Sequence, residues 1–255
     1  MKALPLPKTK EIVERINALQ ASSPYYIDST EISDFSRELR IIKRDIDSMF
    51  KVDACAAWEM TGAWKALLGD QDGVNEAFRA SLALGYTGTN RANWSVNCLN
   101  VGLFTKAQQL YGEFGGPESD FFSTLVAVGV RAGAFAQTAR FVERAREMKI
   151  SWDERSAADV SVASDILQTA GITDEQVARH LDVAGVVLRR HNIHPTSHPR
   201  VTVADGFFRG VTVSFIVPVS SDEAFEMNVE LASEEVQSDV EKSLAFDVVF
   251  EAGLV

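Results

Sequence analysis

All four histidines of the chain fall between positions 180 and 198. Three of them, His191, His194 and His198, follow the spacing His-x2-His-x3-His, close enough to ligate a zinc ion if the loop folds around it. The rest of a zinc site is missing. No Cys, Asp or Glu lies in residues 191–199, Pro195 and Pro199 limit how ligands converge, and no glutamate base stands beside the histidines. The pattern reads as a connecting loop with solvated or locally satisfied imidazoles. No metal and no cofactor are expected.

Other catalytic signatures are equally thin. There is no phosphate-binding glycine loop, no Gly-x-Ser-x-Gly elbow and no dinucleotide fingerprint. Cys55 and Cys98 are the only cysteines, too few for a disulfide framework, and a reducing cytoplasm suits them. The acids Glu223, Glu226, Glu230, Glu234 and Glu235 read as a solvated helix face. No catalytic residue is named, and an enzyme is not expected.

Residues 173–191 invite a nucleic-acid reading. They resemble a helix-turn-helix with Ala178 at the small position of its first helix, but Asp182 stands where the turn wants glycine. The same residues, with Val177, Leu181, Ala184 and Leu188 on one face, equally make one uninterrupted helix. Residues 179–209 carry five Arg against two Asp, a locally basic patch. The net charge of the whole chain is −11, which repels nucleic acid and anionic membrane. A nucleic-acid-binding regulator is therefore the alternative, and a protein or peptide partner, basic by charge, the leading expectation.

The elements that would position such a site follow from periodicity. At 255 residues the chain can bury one large core or two ordinary ones. No apolar run approaches a membrane span, and the opening residues lack the apolar core of a secretory signal. A first helix fits residues 10–20, and a second fits residues 29–50 with Ile32, Phe35, Leu39, Ile42, Ile46 and Met49 on its apolar side. Gly69, Gly102 and Gly133 then recur about every 33 residues after helical stretches. Phe78, Tyr111 and Val142 each lie nine residues beyond their glycine. Fixed self-similarity at this period marks stacked helical hairpins, each a helix, a glycine turn and a second helix.

Trp58, Gly62, Gly69, Phe78 and Leu82 in the first repeat, and Gly102, Ala107 and Tyr111 in the second, resemble the tetratricopeptide repeat. The third repeat keeps Gly133, Phe135 and Ala145, while Ser95, Val126 and Thr138 depart from the pattern. The resemblance covers residues 53–148. It implies a solenoid whose inner groove, lined by the first helix of each hairpin, holds an extended segment or a helix. Carried across, the groove positions are Ala56, Glu59, Ala63 and Leu67, then Ala92, Asn93, Val96 and Asn100, then Asp120, Ser123, Ala127 and Arg131. Of these, Glu59, Asn93, Asn100, Ser123 and Arg131 are the expected partner-binding residues. The family's carboxylate clamp of Lys, Asn and Arg is not reproduced, since Ala56 and Met60 do not fit it.

Beyond Met148 the pattern changes. A helix fits residues 151–170, capped by Ser151 or Asp153, and another runs on from Thr173, with Gln176 completing a capping box. Strand alternation follows at Val201 and Val203, at Val211, Val213, Phe215 and Val217, and at Leu244, Phe246, Val248 and Phe250. Asp205-Gly206 suits a hairpin turn. Residues 220–238 read as an amphipathic helix with Phe225, Val229 and Val236 as its apolar face. The expected fold is α+β: an all-α domain over residues 1–150 resembling tetratricopeptide repeats, then a domain over 151–255 with a short antiparallel or mixed sheet. The expected function is protein–protein interaction, as an adaptor or, given the charge, an immunity- or antitoxin-like neutraliser of a basic partner in a bacterial or phage cytoplasm. The open edge of the N-terminal helices leaves room for a homodimer.

Overall fold

Helix α1 (Pro7–Ser22) and helix α2 (Asp34–Met49) open the chain by closing their apolar faces on one another. The computed structural model describes residues 7–85, 88–114, 122–152, 155–195, 200–204 and 209–253, with the side chains at 7, 8, 155–158 and 200–204 outside the description. Two compact units result, one of Met1–Val101 with His191–Thr196 and one of Gly102–Arg190 with Ser197–Val255. The division runs through the turn of the second repeat, and residue 150 falls inside the second unit.

In the first unit, Ile12, Ile16 and Leu19 of α1 meet Leu39, Ile42, Ile46 and Met49 of α2 in one buried cluster. Arg15 pins the pair from outside, reaching Glu38 at 2.6 Å and Asp45 at 2.8 Å. Helix α2 starts five residues later than its periodicity suggests. Ser33 and Ser36 form a capping box, and the Ser36 hydroxyl also donates to the Glu31 carbonyl. That knot stops the helix from running back, and leaves Ile32 fully exposed instead of on the buried face.

Helix α3 (Ala54–Leu67), capped by Asp53, and helix α4 (Gln71–Leu84), capped by Asp70, form the first repeat; α5 (Gly88–Asn100) follows. Helices α1 and α2 each pack on α3, just as α3 and α4 each pack on α5. The paired-helix array therefore begins upstream of residue 53. A Cβ at Gly62 would lie 2.5 Å from the buried Phe78 ring, so glycine there lets α3 and α4 close. The turn glycine Gly69 sits under the Tyr26 ring, 3.0 Å from where a Cβ would be. Tyr26 is held by its amide, which donates to the Asn192 carbonyl, and by its hydroxyl, which donates to the Asn100 carbonyl.

In the second unit, α6 (Phe104–Gly112), α7 (Phe122–Arg131), α8 (Phe135–Glu147) and α9 (Arg155–Thr169) continue the helices. Helices α7 and α8 pack on each other and each on α9, so the paired arrangement extends past Met148. Gly102 and Gly133 have φ of +68° and +70°, matching +69° at Gly69, a region that disfavours every side chain. The small residue of the third repeat is Gly129, not position 126. A Cβ there would lie 2.1 Å from the Thr138 hydroxyl and 2.5 Å from that of Tyr111.

Helices α6 and α8 begin without caps of their own, because Leu103 and Ala134 stand at those positions. Helix α10 (Asp174–Arg190) supplies them. The Asp182 carboxylate accepts from the amides of Phe104 at 2.6 Å and Thr105 at 3.1 Å. The Asp174 carboxylate accepts from Ala136 at 2.9 Å and Gln137 at 3.0 Å. Eight residues of helix separate the two aspartates by about 12 Å. Gly185 presses against the Gly102 turn, where its Cβ would meet the Gly102 carbonyl oxygen at 2.4 Å, and Val177 and Leu181 close over Gly133.

The chain ends in β1 (Arg200–Ala204), β2 (Gly210–Val217), α11 (Ser221–Gln237) and β3 (Phe246–Ala252). Strand β2 is central, antiparallel to β1 and parallel to β3. The sheet is therefore mixed, and the purely antiparallel form is set aside, because α11 carries the chain back to start β3 in the direction of β2. The expected turn at Asp205-Gly206 lies outside the described residues. Val211, Val213, Phe215 and Val217 are buried, as are Phe246, Val248 and Phe250, whereas Leu244 precedes the strand and is exposed. Asn228 of α11 holds the edge of β3, donating to the Phe250 carbonyl and accepting from the Phe250 amide.

Helix α11 is rotated from its expected orientation. Phe225, Val229 and Val236 are 68%, 53% and 80% exposed, and Ala224, Met227, Leu231 and Glu235 face inward. The buried acid explains the rotation. Glu235 accepts from His180 at 3.0 Å and pairs with Lys242 at 2.6 Å, so its carboxylate is compensated inside while the larger apolar residues point out.

Candidate functional site

The expected groove positions of the first unit lie where α3 meets α5. Ala56, Glu59 and Ala63 on α3, and Ala92, Asn93 and Val96 on α5, are all half-buried. Asp53 starts α3 and so sets the phase of its residues. Asn93 donates through Nδ2 to Glu59 Oε1 at 3.0 Å, joining two of the expected binding residues across the two helices. Burial pushes the Glu59 carboxyl above its ordinary value, the Asn93 hydrogen bond opposes this, and Asp53 adds to it. The result is a low, mainly small-residue surface with one acidic group already paired to an amide. Leu67 and Asn100 are buried, and the Asn100 carbonyl receives the Tyr26 hydroxyl.

In the second unit, Ser123 is exposed and Arg131 half-buried, both on α7, eight residues apart. Burial lowers the Arg131 pKa. Asp120 lies outside the described residues.

Of the histidine loop, His191 and His194 are described, and they sit in different surroundings. His191 is exposed, whereas His194 is buried with its ring 5.2 Å from that of Tyr26. His198 lies outside the described residues. Among those described, no three His, Cys, Asp or Glu side chains converge to hold a metal ion.

His180 of α10 is held through both ring nitrogens. Its Nδ1 faces Glu235 at 3.0 Å and its Nε2 faces the Glu241 carbonyl at 3.2 Å. Each ring nitrogen thus has an oxygen partner within hydrogen-bond distance. Burial pushes the Glu235 carboxyl upward, but the bonds from His180 and Lys242 outweigh it and the net shift is downward. His180 borders a cavity of about 340 Å³ with Gln176, Arg179 and Glu241. With both nitrogens engaged, the ring is a structural tie, and Glu235 leaves the set of solvated acids.

A second cavity, of about 590 Å³, is lined by residues of α6, α8 and α10, among them Gln108, Tyr111, Gln137 and Arg140. Its polar groups are turned to internal work. Gln108 donates to the Asp174 carbonyl at 2.7 Å, and Gln137 accepts from Arg140 at 2.6 Å.

Residues 173–191 form no helix-turn-helix. Thr173 and Gln176 make the expected capping box, after which α10 runs unbroken through Asp182. Asp182 is where the turn pattern failed because its carboxylate caps α6. Arg189 donates to the Gly102 carbonyl, and Arg190 pairs with Glu230 at 2.8 Å and Glu234 at 2.6 Å. An aspartate amid apolar helix positions was the one signal in the sequence for these caps. Comparison with protein-family models, with curated proteins and with solved structures finds no match for the chain.

Proposed function

We propose that the chain is a protein-interaction scaffold of tetratricopeptide type, and that α3 and α5 of its first unit hold a segment of a partner protein. What carries this reading is the half-buried Glu59–Asn93 pair between the two helices, which share the small or apolar groove positions Ala56, Ala63, Ala92 and Val96. Small neighbours leave room for a partner's backbone to come close. The paired carboxylate and amide offer a remaining acceptor and donor to its N–H and C=O groups. Ser123 and Arg131 on α7 are proposed separately, as partner-binding residues of the second unit. Neutralisation of a basic partner is favoured only by the −11 charge of the chain as a whole, not by charge at this groove.

The test is affinity capture with the parent chain and with the double variant Glu59→Ala, Asn93→Arg, checked for unchanged helix content. A partner held by the parent and lost by the variant supports the site. Equal retention by both overturns it. If capture is undiminished at high salt, the electrostatic version fails while the groove stands.

A further inference from the structure

Helix α11 turns an apolar stripe to solvent. Phe225, Val229, Ala232 and Val236 are spaced i, i+4, i+7 and i+11, which aligns them along one side of the helix over about 16 Å, and all four are exposed. The fold does not use them, since the opposite side carries Ala224, Met227 and Leu231 into the interior. Exposed apolar residues are ordinary when scattered. Four in register on one helix mark a contact surface.

The charge around the stripe decides what it contacts. The helix has six acids and no base, and its period places the exposed Asp222 and Glu226 along one border of the stripe. Residues 220–255 hold ten carboxylates against one lysine, so nine of the eleven net negative charges lie in the last 36 residues. The repeats at residues 53–148 are close to neutral, with ten acids against eight bases. A second copy docking stripe to stripe would bring these acids together, and an anionic bilayer would be repelled.

We propose that the outward side of α11 docks a basic amphipathic helix of a partner protein. The partner's apolar side covers Phe225, Val229 and Val236, and lysines or arginines at its border meet Asp222 and Glu226. This surface is independent of the α3–α5 site, and either can fail without the other.

The probe is a synthetic helix of leucine and lysine, about five turns long, with its leucines on one side. Its controls are a scrambled peptide of the same composition and a leucine–glutamate counterpart. We expect the parent chain to bind the amphipathic basic peptide at least about tenfold more tightly than either control. The Phe225→Ser, Val236→Ser variant loses about tenfold, and Asp222→Lys, Glu226→Lys weakens binding and flattens its salt dependence. All four positions are exposed, so circular dichroism should match the parent. Asn93→Arg leaves peptide binding unchanged. Equal binding of scrambled and amphipathic peptides, or indifference to Phe225→Ser, Val236→Ser, overturns the proposal. So does a dimer in light scattering that the same variant dissolves, which would make the stripe a self-interface.

Discussion

The first repeat and the two that follow solve one problem in different ways. Each must end a helix at a left-handed glycine, begin another, and cover the turn. In the first, Asp70 sits in the chain where the helix starts and caps it directly. Tyr26, from the preceding hairpin, covers Gly69. In the second and third, Leu103 and Ala134 cannot cap, and α10 brings Asp182 and Asp174 to do so while packing over the glycines. Degenerate repeats can thus keep one geometry when a single long helix replaces what each has lost. The conserved feature is the turn conformation, and the residues that satisfy it are interchangeable in origin.

The comparison is broken most severely at Gly185. Its Cβ would strike a carbonyl oxygen of the Gly102 turn, backbone that cannot swing aside, so Gly185→Ala should cost about 3 kcal/mol in urea unfolding. Gly171→Ala provides the contrast. Gly171, unlike the helical Gly185, has a positive φ of +72° and open space around it, so only backbone strain of about 1–2 kcal/mol is expected. If the two variants unfold alike, α10 does not close on the second turn as described.

Next come the caps. Asp182→Ala strips two amides of their acceptor and should cost about 2–3 kcal/mol. Asp174→Ala should follow closely. Asp70→Ala removes one ordinary cap and a half-exposed ion pair with Lys65, about 1 kcal/mol.

The smallest and sharpest test is the sign of the pH response. Burial pushes the Asp182 and Asp174 carboxyls up, with backbone amides opposing only in part. For Asp70 burial also works upward, but the Lys65 and Gly73 hydrogen bonds prevail and its pKa is lowered. A lowered carboxyl contributes stability above its unfolded value of about 3.9, and loses it as pH falls. A raised one binds its proton more tightly folded than unfolded, so its contribution grows as pH falls toward that value. The stability gap between parent and Asp70→Asn should therefore shrink on acidification, and the gap to Asp182→Asn should widen. Gaps that move in the same direction would deny that the two kinds of cap differ.

What the sequence revealed and concealed divides along the same line. Local signals read true: the glycine turns, the Thr173–Gln176 capping box, and the buried Phe78, Tyr111 and Val142 all follow from spacing within a few residues. Long-range compensation did not show. The face of α11 was misread because Glu235 has its partners at His180 and Lys242, and a glutamate is otherwise assigned to solvent. The α10 caps were hidden because an aspartate gives no sign of which distant amides it serves. The repeat offset placed Glu59 and Asn93 at groove positions, but gave no sign that they hydrogen-bond to each other.

The remote caps also impose an order of events on synthesis. Asp182 follows Phe104 by 78 residues, and Asp174 follows Ala136 by 38. At roughly 5–20 residues per second, α6 is made some 4–16 s before the residue that completes its first turn. The first repeat has its cap, Asp70, within it and Tyr26 behind it, although the Tyr26 amide meets its Asn192 acceptor only after α10 is made. The second and third wait, their helix starts bare, until α10 has been translated. A ribosome stalled before codon 174 would therefore display one helix start already capped by Asp70 and two, at α6 and α8, still without their acceptors.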